Sequence, residues 1–137
     1  MTKTIPEGYH SVTPYFTFQD ARKAIEFYKQ AFCAQENYVM PGPDGKGVMH
    51  AEIRIGDSVV MMGEEHPQQS CRSAETIGGS PVSFYLYLEN VDEAFRVAVA
   101  AGAEAQMPVQ ETFWGDRSAP CRTPSVTAGV WPPTPGI

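Results

Sequence analysis

Apolar and polar positions change period at regular places along this chain, and the changes mark its elements. In "SVTPYFTF" (Ser11 to Phe18) β-branched and aromatic residues alternate. Val12, Phe16 and Phe18 fall on one side and Thr13, Tyr15 and Thr17 on the other, which predicts a strand. Pro14 has no amide hydrogen and places that strand at an edge or a bulge. Asp20 is a good N-cap for the segment that follows, "ARKAIEFYKQAF". There Ala21, Ala24, Ile25, Tyr28 and Phe32 form one helical stripe, while Lys23, Glu26 and Lys29 face water. Turn signals at Asp44-Gly45 and Gly56-Asp57 divide the next stretch into three strands, Glu36 to Met40, Val48 to Ile55 and Ser58 to Met62. The unit is β-α-β-β-β.

Glu64 to Ser80 has no period and many turn formers, and reads as a linker or flexible loop. The pattern then restarts. "PVSFYLYLENVDEAFRVAVAAGAEAQMPV" gives strand, helix and strand, with Asp92 expected as N-cap and Gly102 as the residue just past the helix. Phe18 and Leu88 occupy matching places, as do Met40-Pro41 and Met107-Pro108, so one supersecondary unit is repeated. The expected division is a first module at 8–63, a linker at 64–80, a second module at 81–117 and an atypical tail at 118–137. That tail carries Pro120, Pro124, Pro132, Pro133 and Pro135, and no Lys, Asp or Glu follows Asp116. Val126, Val130 and Trp131 are its candidates for pairing as strand or for plugging an open sheet.

A chain of 137 residues forms one domain and can bury a core without staples. The net charge of −6, with no basic cluster, argues against nucleic acid or an anionic membrane as a partner. No apolar run approaches a membrane span, and "MTKTIPEGYH" lacks the apolar centre of a signal peptide. Cys33, Cys71 and Cys121 lie far apart without CxxC spacing, which fits reduced thiols and a cytoplasmic setting.

Five segments, "VTPYFTFQDARKAIEFYKQAF", "PGPDGKGVMHAEIRIGDSVVMM", "GGSPVSFYLYLENVDEAF", "AGAEAQMPV" and "FWGDR", resemble the vicinal oxygen chelate superfamily of glyoxalase I, bleomycin-resistance proteins and extradiol dioxygenases, and within it the PhnB-like branch. The resemblance implies an α+β fold of two βαβββ modules whose curled mixed sheets form a cup. It also implies a homodimer, with module swapping in some members. Such proteins commonly carry Gly where this helix ends at Cys33. They finish with a motif like D-P-F-G-H-x-W and a last strand. Read two bases later from Ser118, with suitable codons, the tail becomes "GTVPDPFGHRWGLATHTRD", so it reads as a frameshifted replacement of that ending.

Metal-dependent members of the superfamily use four His, Gln or Glu ligands. The matching positions here fall on Thr13, on Met61 or its neighbour, on Ser83 and in the tail. None of the first three is a His, Gln or Glu, and Thr, Met and Ser are poor ligands for a hard or borderline divalent ion. The expectation is no cofactor and no standard glyoxalase chemistry. A second constellation lies in "VMHAEIRI", where Met49, Ala51, Ile53 and Ile55 alternate with His50, Glu52 and Arg54. His50 and Glu52 suit an acid/base pair or two ligands of a divalent metal. They equally suit a solvated or mutually paired strand face with Arg54. Tyr15, Tyr85, Tyr87 and Trp114 suit either a stacking wall for a planar ligand or the rim of a packed cup. His10 and His66 read as surface residues, and Met61 and Met62 as gap-filling core.

The leading expectation is a small-molecule binding cup for a planar or aromatic ligand, drawn from Thr13, Tyr15, His50, Glu52, Arg54, Met61, Tyr85, Tyr87 and Trp114. Two alternatives stand beside it: an enzyme using His50 and Glu52, and an inactive folded relic.

Overall fold

A computed structural model describes residues 4–82, 84–105, 109–111, 117–118, 121–122 and 130–131. Trp114, Ser83, Val126 and most of the tail lie outside the described residues. The fold is α+β. The first half contains β1 (Tyr15–Phe18), α1 (Ala21–Phe32), β2 (Gln35–Pro41), β3 (Val48–Ile55) and β4 (Ser58–Glu64). These strands form a curled mixed sheet in the order β1-β4-β3-β2, with β1 parallel to β4 and the other pairs antiparallel.

Helix α1 begins where Asp20 accepts a hydrogen bond from the Lys23 amide. Its apolar stripe buries Ala21, Ala24, Ile25 and Tyr28 in one core with Ala51 and Ile53 of β3 and Met62 of β4. Side chains such as Ile25, Ile53 and Met62 each contribute roughly 1.5–3 kcal/mol on burial. Alternation on β3 thus sends Ala51 and Ile53 to the helix and leaves His50, Glu52 and Arg54 on the other face.

Several sequence expectations are corrected. Strand β1 starts only at Tyr15, and Val12 is 85% exposed instead of lining up with Phe16 and Phe18. Proline at 14 cannot donate, yet its carbonyl accepts from the Met61 amide and so starts the β1–β4 ladder. Strand β4 runs on past Met62 to Glu64. The Glu64 carboxylate accepts from the amides of Ala21 and Val48, both at 2.9 Å, and ties the start of α1 to the start of β3. The stretch read as a linker or flexible loop contains one short helix, α2 (Ala74–Ile77), capped by Ser73, whose own amide donates to Glu65 at 2.8 Å.

The second half contains β5 (Phe84–Tyr85), α3 (Val91–Ala100), β6 (Glu104–Ala105), β7 (Gln110–Glu111), β8 (Arg117–Ser118), β9 (Cys121–Arg122) and β10 (Val130–Trp131). The N-cap of α3 is Asn90, which accepts from the Glu93 amide, and Asp92 sits inside the first turn instead. Gly102 follows the helix at φ 120°, a conformation that suits glycine. The second sheet has the order β5-β10-β9-β6, with β10 parallel to β5. Two tail segments, Cys121–Arg122 and Val130–Trp131, therefore pair as its inner strands. The halves touch through Phe16 and Phe84, whose rings are 4.9 Å apart and edge-on.

Candidate functional site

Four residues form a row across the sheet face that α1 does not cover. Tyr15 pairs with Met61, Met61 with Glu52 and Glu52 with Tyr38, so each strand gives one side chain. Glu52 is only 4% exposed, which a carboxylate tolerates only with hydrogen bonds. Three donors serve it. Tyr38 Oη donates to Oε2 at 2.9 Å, His50 Nε2 lies 3.0 Å from the same oxygen, and Tyr9 Oη donates to Oε1. Tyr9 arrives from the segment before β1. A turn, with the Tyr9 amide donating to the Pro6 carbonyl and Gly8 at φ 87°, folds that segment back over the sheet.

Burial is the strongest single influence on the Glu52 carboxyl and pushes its pKa up. The hydrogen bonds from Tyr9, His50 and Tyr38 together outweigh it and leave the pKa below the usual value, so Glu52 is an anion at neutral pH. The same hydrogen bonds raise the phenol pKa values of Tyr9 and Tyr38, which stay protonated as donors.

His50 is held at both nitrogens. Nδ1 lies 3.2 Å from Tyr15 Oη, opposite the Glu52 contact. A carboxylate only accepts, so Nε2 carries the hydrogen of that contact, and Nδ1 is left facing the Tyr15 hydroxyl. Gly63 makes this reach feasible. A Cβ there would lie 2.9 Å from Tyr15 Oη and 2.9 Å from the Met49 carbonyl oxygen. Burial, with the Cys71 thiol as a lesser cause, raises the Tyr15 pKa and keeps that phenol a donor.

Beside this network lies a cavity of about 550 Å³, walled by Ile5, Pro6, Tyr9, Thr13, Glu52 and Met61. Three of the sequence candidates, Thr13, Glu52 and Met61, therefore meet at one cavity. Tyr15 and His50 are joined to it through Glu52. Arg54 stands apart, its Nη1 donating to the Asp57 carbonyl at 3.5 Å. Tyr85 and Tyr87 hold their rings 5.4 Å apart at a tilt of 57°, away from this cavity, whereas the Tyr15 ring lies against His50 at 5.5 Å. Sequence reasoning missed Tyr38, Tyr9 and Gly63. Tyr38 was findable, since a hairpin about Asp44-Gly45 sets it beside Glu52. For Tyr9 the chain carries no such signal.

Of the superfamily's four metal positions, Thr13 and Met61 fall among the described residues, and neither suits a hard or borderline divalent ion. Thr13 Oγ1 donates to the His10 carbonyl at 3.2 Å, and Met61 offers a soft thioether. Among the described residues no three His, Cys, Asp or Glu side chains converge as a metal site.

The model of the Glyoxalase/Bleomycin resistance protein/Dioxygenase superfamily matches residues 10–126. The chain belongs to this superfamily. It is 38% identical over 110 residues to the uncharacterized protein Mb0911c of Mycobacterium bovis, covering 78% of this chain and 72% of that one. Among solved structures it is similar to TioX from Micromonospora sp. ML1, with a TM-score of 0.72 and 20% identity over 91% of this chain and 98% of TioX. It is also similar to the PhnB protein of Bacillus cereus, a putative 3-demethylubiquinone-9 3-methyltransferase, with a TM-score of 0.70 and 15% identity over 91% and 99% of the two chains. At these identities the superfamily structures establish the fold. Among the described residues no helix is long and apolar enough to cross a membrane.

Proposed function

We propose that this chain binds a small molecule, with a flat or aromatic body, in the cavity between its N-terminal segment and the first sheet. The observation that carries this reading is a cavity of about 550 Å³ with apolar walls at Ile5, Pro6 and Met61 and a buried, fully oriented carboxylate at Glu52. Ligand sites combine these same parts: apolar area for affinity and a few fixed polar groups for orientation. Fluorescent planar dyes titrated into the protein test it. Tyr9→Ala removes one wall and weakens binding by roughly tenfold, the loss of about 1–2 kcal/mol of aromatic contact. Tyr85→Ala leaves it unchanged. Equal affinity in Tyr9→Ala and the parent protein would end this reading.

One observation favours acid/base catalysis as a second reading. Tyr15, His50 and Glu52 form a continuous hydrogen-bonded chain, in which Glu52 fixes the imidazole and Tyr15 is presented at its other nitrogen. A turnover that survives His50→Ala undiminished would remove it.

A further inference from the structure

Glu52 has accepting capacity to spare. A carboxylate takes about four hydrogen bonds. Glu52 receives three, two at Oε2 from Tyr38 and His50 and one at Oε1 from Tyr9. The remaining position belongs to Oε1, the oxygen held by the segment that walls the cavity. Tyr9 and Tyr38 bring hydrogen bonds without a unit of positive charge. Among the described residues no Lys or Arg lines the cavity. Arg54, the nearest cation along β3, is turned to the Asp57 carbonyl, with its Nη2 close to Gly8. His10, at the rim, has its Nε2 3.3 Å from that same carbonyl. An anion set among apolar walls attracts a cation more strongly than one in open water, because the surroundings screen it less. The Tyr9 ring adds an aromatic face that favours positive charge.

We propose that the cavity selects an organic cation: a flat ring bearing a protonated nitrogen whose N–H donates to Glu52 Oε1 while the ring lies against Ile5, Pro6 and Met61. This deepens the small-molecule reading of the same cavity and rests on it.

Three probes with one ring system separate the two ideas. At pH 7 4-aminoquinoline is a cation, quinoline is neutral and quinoline-4-carboxylate is an anion. Calorimetric titration of the full chain at fixed salt gives the order cation, neutral, anion. The cation leads by about tenfold or more, as a charge-assisted hydrogen bond provides. Glu52→Gln brings the cation down to the level of the neutral probe and leaves the neutral probe unchanged. Tyr9→Phe removes a competing donor from Oε1 and shifts the preference further toward the cation. That second variant decides the matter if Glu52→Gln does not fold. Binding of all three probes with equal affinity overturns the charge selection and leaves the small-molecule reading standing. A cation preference that persists in folded Glu52→Gln, or that falls in Tyr9→Phe, overturns the assignment to Glu52. Binding of none of the three removes both ideas together.

Discussion

Single residues carry conformations that their neighbours force. Cys33 ends α1 at φ 55° and ψ 35°, the left-handed region, and is the one non-glycine residue with positive φ among those described. The helix ends well there, since the Ala34 amide reaches back to the Tyr28 carbonyl at 3.2 Å. The Cβ of Cys33 is what makes the position costly, by roughly 1–2 kcal/mol against glycine. Glycine in turn loses more entropy on folding. Cys33→Gly should therefore raise the unfolding free energy by about 0.5–1 kcal/mol net, read as a higher urea midpoint with an unchanged slope. A lower midpoint would show that the left-handed turn costs this chain nothing. Glu52 shows the same dependence on neighbours. Alternation puts it on the polar face of its strand, but it takes hydrogen bonds from Tyr9, Tyr38 and His50 to let a carboxylate be buried there.

Elements of the first half are held by one carboxylate that spans two of them. Glu64, at the end of β4, accepts from the first amide of α1 and the first amide of β3. The space is tight, since a Cβ on Gly47 would meet Glu64 Oε1 at 2.5 Å. Two amide bonds to a half-buried carboxylate, one at a helix N-terminus, contribute about 2–3 kcal/mol in all. Glu64→Ala should lose about that much in chemical denaturation, and a loss under ~0.5 kcal/mol would mean that water replaces the carboxylate freely. The bounds of α1 and β3 were legible because cap, stripe and alternation all lie within a dozen residues. Glu64 was not legible, because its partners stand 43 and 16 residues away and its own surroundings read as loop. The site divides along the same line. Periodicity put His50 and Glu52 on one face, whereas Tyr9 reaches Glu52 across 43 residues of sequence. Asn90 displaced Asp92 as cap for a local reason: both are good capping residues, and spacing alone does not choose between them.

At the scale of the whole molecule, each of the two four-stranded sheets has two edge strands that, among the described residues, pair along one side only. One edge of the first sheet is β1 and one edge of the second is β5, and both strands are short. Around β5 the exposed surface is apolar: Val82 is 50% exposed, Tyr87 68%, and Tyr85 39% with its ring against Tyr87. The inner strands beside β5 come from an atypical proline-rich tail and are two residues long. An open strand edge next to apolar side chains is a template for association. A second copy of the chain would cover both edge and apolar surface at once, and the net charge of −6 opposes indiscriminate growth beyond a closed pair. The expected state is therefore a homodimer that uses the β5 edge. Light scattering on the purified chain at micromolar concentration should give twice the chain mass of 15.0 kDa. Tyr87→Lys, placed on that exposed surface, should shift the population to monomer while leaving the far-ultraviolet spectrum and the cavity of the first sheet intact. A monomer in the unmodified chain, or a dimer indifferent to Tyr87→Lys, would mean that the tail strands alone are enough to close the second sheet.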